Sequence, residues 1–176
     1  NLNEAQRAKF LQALEAFWRG FAARYRGRAV LFAYDLLNEP EVRWDTPVMR
    51  EKWNRWLTRR YPTPQDLALA WNLSADSLKL GEVAVPEPKD APGSARLLDY
   101  QSFREDVADE WTRRQVAAIK ASDPQALVTV GLIQWSVPAI LAHPGHYSAF
   151  RPDRQAKLLD FLEIHFYPLA DGAYEY

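Results

Sequence analysis

Three short apolar runs, Ala29 to Leu37, Leu127 to Gly131 and Phe161 to Tyr167, stand apart in a sequence whose other apolar residues recur at helical spacing. Runs of this length suit strands, and helical stretches separate them. Parallel strands joined by right-handed helical crossovers satisfy that order, so the chain is expected to be an α/β fold. From Asn3 to about Tyr25 the residues Phe10, Leu11, Leu14, Phe17, Trp18 and Phe21 form one stripe, and Arg26-Gly27-Arg28 breaks it. Ala29 to Leu37 is interrupted only by Asp35, the pattern of a strand covered on both faces. Thr46-Pro47 and Thr63-Pro64 each put a capping hydroxyl before a proline at the first helical position. They predict one helix with the stripe Met49, Trp53, Trp56 and Leu57, and a shorter one reaching about Trp71. Residues 81–95, rich in Pro and small side chains, read as a surface excursion rather than a domain boundary. Leu97 to about Ala121 is helical, with Phe103, Val107 and Trp111 at four-residue spacing, and Asp123-Pro124 stops it. Gln155 to Asp160 is expected to end a helix before the third strand.

Composition narrows the partners. With 48% hydrophobic residues, 176 residues can bury the core of one domain. A net charge of −1 and no long basic block give no electrostatic case for nucleic acid or an anionic membrane. No apolar run approaches the roughly 20 residues that span a bilayer. The start, Asn1-Leu2-Asn3-Glu4, has neither an initiator Met nor an apolar leader, so the chain is expected to be processed or cut. The absence of Cys excludes disulfide and thiolate chemistry and leaves the compartment open, since secreted and cytoplasmic proteins both tolerate it.

In parallel α/β folds the chemistry gathers at the carboxyl ends of the strands. Asn38 and Glu39 end the first run and His165 and Tyr167 end the third, each followed by a proline, Pro40 or Pro168. Both polar groups therefore fall on one rim. His165 and Tyr167, at alternate positions, share a face, with Leu162, Ile164 and Phe166 turned towards the helices. Asn38 and Glu39 are adjacent, so both can face a ligand only if the strand ends, bulges or twists there. Asp35 is expected to be a buried carboxylate with a structural partner. His143 and His146 lack an accompanying carboxylate or Cys cluster, so no metal is expected, and Asn72-Leu73-Ser74 is a formal glycosylation sequon.

The segment Tyr34-Asp35-Leu36-Leu37-Asn38-Glu39-Pro40 resembles the fourth-strand signature of the retaining glycoside hydrolases built on (β/α)₈ barrels, the cellulase, mannanase and β-galactosidase-like clan. Asp123-Pro124 with Leu127 to Gly131 is similar to the clan's fifth strand, and Leu159 to Pro168 resembles its sixth. Trp56 to Trp71 resembles a segment that follows the acid/base in β-galactosidase-like members. The resemblance runs from about residue 15 to 168 and implies the middle portion of a TIM barrel, truncated at both ends, since a whole barrel needs about 250 residues.

By that resemblance Glu39 is the general acid/base and Asn38 the amide that binds the sugar 2-OH, while His165 and Tyr167 bind substrate and position the nucleophile. Trp44, Trp135 and Tyr147 lie in rim-side loops, where their rings either stack on sugar faces or pack as core or lid. The implied substrate is a β-linked oligo- or polysaccharide, with no cofactor and no indication of oligomeric state. The clan's nucleophile, a Glu ending the seventh strand, is expected outside this sequence. Glu175 follows Tyr167 too closely for a parallel crossover of about a dozen residues. Two other readings stand beside it: a carbohydrate-binding relative without the nucleophile, and an unrelated α/β domain in which Glu39, His165 and Tyr167 do not share a cavity.

Overall fold

The computed structural model describes residues 3–86, 93–133 and 148–165. Helix α1 (Glu4–Tyr25) opens at Asn3, whose side chain accepts from the Gln6 N–H while the Gln6 side chain accepts from the Asn3 N–H. This reciprocal box satisfies two donors that a helix start otherwise leaves free. Helices α2 (Pro47–Arg60) and α3 (Pro64–Trp71) begin at Thr46 and Thr63, which accept from the N–H groups of Met49 and Asp66. Both starts fall where the Thr-Pro pairs predict them. Ser94 caps α4 (Ala95–Ser122), whose 28 residues make a rod of about 42 Å.

Strands β1 (Tyr34–Asn38), β2 (Val128–Ile133) and β3 (Glu163–His165) form a parallel sheet in the order β1-β2-β3. The α/β class with parallel strands is therefore found as expected. A short helix, α5 (Pro152–Gln155), precedes β3.

Five local expectations are corrected. β1 starts at Tyr34, not Ala29, because Leu31 turns back to hydrogen-bond the Arg28 carbonyl and the first bond to the neighbouring strand runs from Tyr34 N–H to Leu127 O. Val30 and Phe32 consequently stay exposed. The two-faced covering belongs to β2, buried almost throughout, whereas β1 buries Tyr34 and Leu36 and exposes Asp35, Leu37 and Asn38. Asp35 is thus not a buried carboxylate: it accepts from the backbone N–H of Gly131 at 3.0 Å and of Leu37 at 3.2 Å. The helix before β3 ends at Gln155 rather than reaching Asp160, and turns follow. Leu162 and Ile164 are exposed, no described helix covering that face of β3.

Two cores flank α4. One joins Trp18 and Ala22 of α1 to Tyr34, Leu36, Val128, Val130, Leu132 and Ile119 on the sheet side. The other packs Trp53, Trp56 and Leu57 of α2 against Leu67 and Trp71 of α3 and against Tyr100 and Phe103. Burying a large apolar side chain contributes about 1.5–3 kcal/mol, so these indoles anchor α2 and α3 to α4 without help from the sheet.

The entry to β3 is held by charge. Arg154 donates to Asp109 at 2.7 Å, Glu105 at 3.0 Å and Asp106 at 2.6 Å, all on α4. Burial works against the Arg154 charge, but its hydrogen bonds to Asp106 and Asp109 outweigh that and raise its proton affinity. Gln155 donates to Asp109 at 2.9 Å and accepts from Thr112 at 2.8 Å. Nearer the strand, Asp160 accepts from Val128 N–H and from Lys120, each at 2.9 Å. These contacts fix where β3 lies beside β2.

Candidate active site

The end of β1 departs from regular strand geometry. The register to β2 shifts between Asp35 and Asn38, and the Glu39 N–H bonds the Gly131 carbonyl at 2.8 Å. Glu39 has φ +46°, a left-handed conformation that is uncommon outside Gly. Strand alternation therefore stops at Asn38, the condition the sequence set for the adjacent amide and carboxylate. Strain of this kind costs on the order of 1 kcal/mol or more, and it concentrates at functional positions.

The turned Glu39 reaches across the sheet to β3. Its Oε1 lies 2.9 Å from His165 Nδ1, while the other ring nitrogen, Nε2, lies 3.6 Å from Glu163 Oε1. The imidazole thus stands between two carboxylates. Its proton affinity is raised above the ordinary imidazole range, chiefly by the hydrogen bond to Glu39, with partial burial opposing and Glu163 adding to it. Side-chain exposure is 16% for His165, 30% for Glu39 and 42% for Glu163, so water screens the outer carboxylate most.

Between these strands β2 contributes Gly131. A Cβ at this position would meet His165 Nε2 at 2.9 Å and Cε1 at 3.1 Å, with the Asn38 Cα at 3.4 Å. The missing side chain is the slot into which the ring fits. Sequence reasoning placed Gly131 only as a strand residue and did not single out Glu163. Glycine inside a strand is a signal of close approach, and Glu163 shares a face with His165 by simple alternation.

Among the proposed site residues, the structure joins Glu39 to His165 and leaves Asn38 exposed at the same strand end. Trp44 is partly buried and serves as packing for both cores. Its ring meets Phe103 edge-on at 6.1 Å, and the Arg104 guanidinium lies 4.9 Å from its centre. Tyr167, Trp135, Tyr147, His143, His146 and Glu175 lie outside the described residues. Among the described residues no cluster of His, Cys, Asp and Glu fits a metal ion, and no helix is long and apolar enough to cross a membrane.

Residues 4–173 match the sequence model of Glyco_hydro_42, described as Beta-galactosidase. The chain belongs to glycoside hydrolase family 42. No curated protein matches this family 42 chain. Solved structures do. The cold-adapted beta-galactosidase from Rahnella sp. R3 has a TM-score of 0.71 and 20% identity over 91% of this chain and 22% of its own. The beta-galactosidase from Bacillus circulans sp. alkalophilus has a TM-score of 0.70 and 21% identity over 93% of this chain and 24% of its own. A family 42 exo-carrageenase from Bacteroides ovatus follows with a TM-score of 0.65 and 19% identity over 88% and 22%. At these identities the likeness is one of fold. This family 42 chain spans about a quarter of the length of the solved relatives it matches.

Proposed function

We propose that these residues form part of the catalytic domain of a retaining glycoside hydrolase acting on β-galactosides, with Glu39 as its general acid/base. On this reading the three strands are the fourth to sixth of a (β/α)₈ barrel, and the remaining strands lie elsewhere in a longer polypeptide. The observation that carries the proposal is the 2.9 Å contact between Glu39 and His165, which brings the strand ends of two distant segments together on one rim. Family membership supports the substrate class.

In retaining hydrolysis one carboxyl protonates the leaving oxygen and later deprotonates water, while a carboxylate about 5–5.5 Å away attacks the anomeric carbon. Glu39 suits the first role because the strand end presents it on the rim, half-exposed, with the His165 imidazole in contact. Glu163 does not suit the second, because the His165 ring stands between it and Glu39. The nucleophile is assigned to a Glu on a further strand of the same barrel. Asn38, on this proposal, binds the sugar 2-OH, and Tyr167, Trp135 and Trp44 contribute to substrate binding with His165. No cofactor is required, since the two carboxyls supply the acid, the base and the nucleophile.

The test is Glu39→Gln in the full-length protein. Turnover of unactivated β-galactosides is expected to fall by at least about 100-fold, with the protein still folded because the swap is nearly isosteric. Unchanged turnover would remove Glu39 from the chemistry.

A further inference from the structure

The sandwiching of the His165 ring between two carboxylates goes beyond the role of substrate binding. Which ring nitrogen exchanges a proton is set by the partner that holds the other one. Here Glu39 holds Nδ1 at 2.9 Å and Glu163 faces Nε2 at 3.6 Å. We propose that Glu163 is a positioning residue for the Glu39–His165 pair, retaining the proton on Nε2 so that Nδ1 is the nitrogen that exchanges a proton with Glu39.

This rests on the reading of Glu39 as the acid/base, and the proton balance follows from it. The cycle starts with one exchangeable proton shared along the Nδ1–Oε1 contact. The Nδ1 proton passes to Glu39, leaving a neutral ring whose Nε2–H still faces Glu163. Glu39 then gives that proton to the glycosidic oxygen as the bond to the anomeric carbon breaks, and it returns to carboxylate. In the second step Glu39 takes a proton from the attacking water, and sharing it with Nδ1 restores the starting pair. No oxidant, reductant or further acid enters.

Two observations besides the distance support the assignment. The ring lies against Gly131, where a Cβ would meet Nε2 at 2.9 Å, so the absent side chain lets the ring sit between the two carboxylates. The charges facing the ring also simplify the account: Glu39 from the end of β1 and Glu163 from β3, while β2 carries no ionisable side chain and Asp35 spends an oxygen on the Gly131 N–H. The two protons of the pair belong to it jointly, so its titration is that of a coupled system. A negative charge at Nε2 holds the shared proton to higher pH.

The experiment uses the full-length protein with ¹³C-labelled histidine, comparing wild type with Glu163→Gln. The His165 imidazole titration and the alkaline limb of kcat/KM are both expected to move towards lower pH, by roughly half a pH unit. In a His165→Asn background, adding Glu163→Gln is expected to leave the limb where it is. An imidazole titration or an alkaline limb that does not move with Glu163→Gln overturns the proposal, as does an equal movement in the absence of His165. Unaltered turnover in Glu39→Gln would instead overturn the proposed function, while the imidazole titration still reads the Glu163 contact.

Discussion

The aromatic cluster beneath α2 and α3 and the polar cluster at the end of the sheet treat their polar atoms in opposite ways. In the first, each indole N–H has one settled partner: Trp53 donates to Ala84 O at 3.3 Å, Trp56 to Asp106 at 2.8 Å and Trp71 to Asp99 at 2.7 Å. Asp99 also accepts from Tyr61 at 2.8 Å and pairs with Arg60 at 3.2 Å. At the sheet end, two carboxylates share a single imidazole, one residue sits at positive φ, and the groups remain open to water. The first arrangement gives each of these three indoles an acceptor and stiffens the fold. The second sets one ring between two carboxylates, an arrangement that suits the acid/base role proposed for Glu39. Stability and chemistry in this chain are therefore expected to respond to different substitutions.

Trp53→Ala should have the largest effect. The side chain is fully buried and stacks on Trp56 at 5.6 Å and Trp71 at 6.2 Å. Its loss is expected to cost about 3–5 kcal/mol by denaturant unfolding, with the pH profile of the remaining folded enzyme unchanged. A shifted profile would join the two regions that the comparison separates.

Asp99→Ala comes next. It strands the Trp71 indole and the Tyr61 hydroxyl in a buried setting, at about 1–3 kcal/mol. Asp99→Asn, which keeps an acceptor, is expected to lose less, and an equal loss in both variants would assign the effect to the charge shared with Arg60.

Gly131→Ala sharpens the comparison from the other side. The added methyl meets the His165 ring at under 3 Å, so the ring must leave its slot. If His165 partners the acid/base as proposed, its displacement by about 1 Å costs up to about 100-fold, and kcat is expected to fall at least tenfold while unfolding changes far less. A folded enzyme with wild-type kcat would show that the slot has no catalytic consequence.

The smallest effect concerns pH. The folded His165 holds its proton more tightly than an ordinary imidazole, mainly through Glu39. Its stabilisation is therefore fully present below about pH 6.5, the unfolded value, and is lost as pH rises through the higher folded value. The difference in unfolding free energy between wild type and His165→Asn should shrink as pH rises over that window. A difference that grows with pH would reverse the assigned direction.

Much of the fold was legible because caps and stripes are local. Asn3, Thr46 and Thr63 mark helix starts through their own side chains, and the stripe of Met49, Trp53, Trp56 and Leu57 becomes the buried face of α2. Strand limits were less legible, because they depend on a neighbour. Val30 and Phe32 have strand character but run ahead of the start of β2, and no described strand pairs with them. Asp35 looked like an interior carboxylate because its neighbours are apolar, yet the face it occupies is open in the described residues. At the site, Glu39 and His165 were marked by the strand ends on which they sit. Gly131 and Glu163 were not, since their meaning arises from the parallel register that lays one strand's ring over the next strand's backbone.

The account stands on Glu39 donating and recovering a proton, and leaving-group dependence tests that most directly. In the full-length protein, Glu39→Ala should be compared with wild type on an alkyl β-galactoside and on a dinitrophenyl β-galactoside. The alkoxide needs a proton to depart and the dinitrophenolate does not, so glycosyl transfer from the alkyl substrate should collapse while release of dinitrophenolate in the first turnover stays close to wild type. An equal loss on both substrates would contradict the assignment of Glu39 as the acid/base.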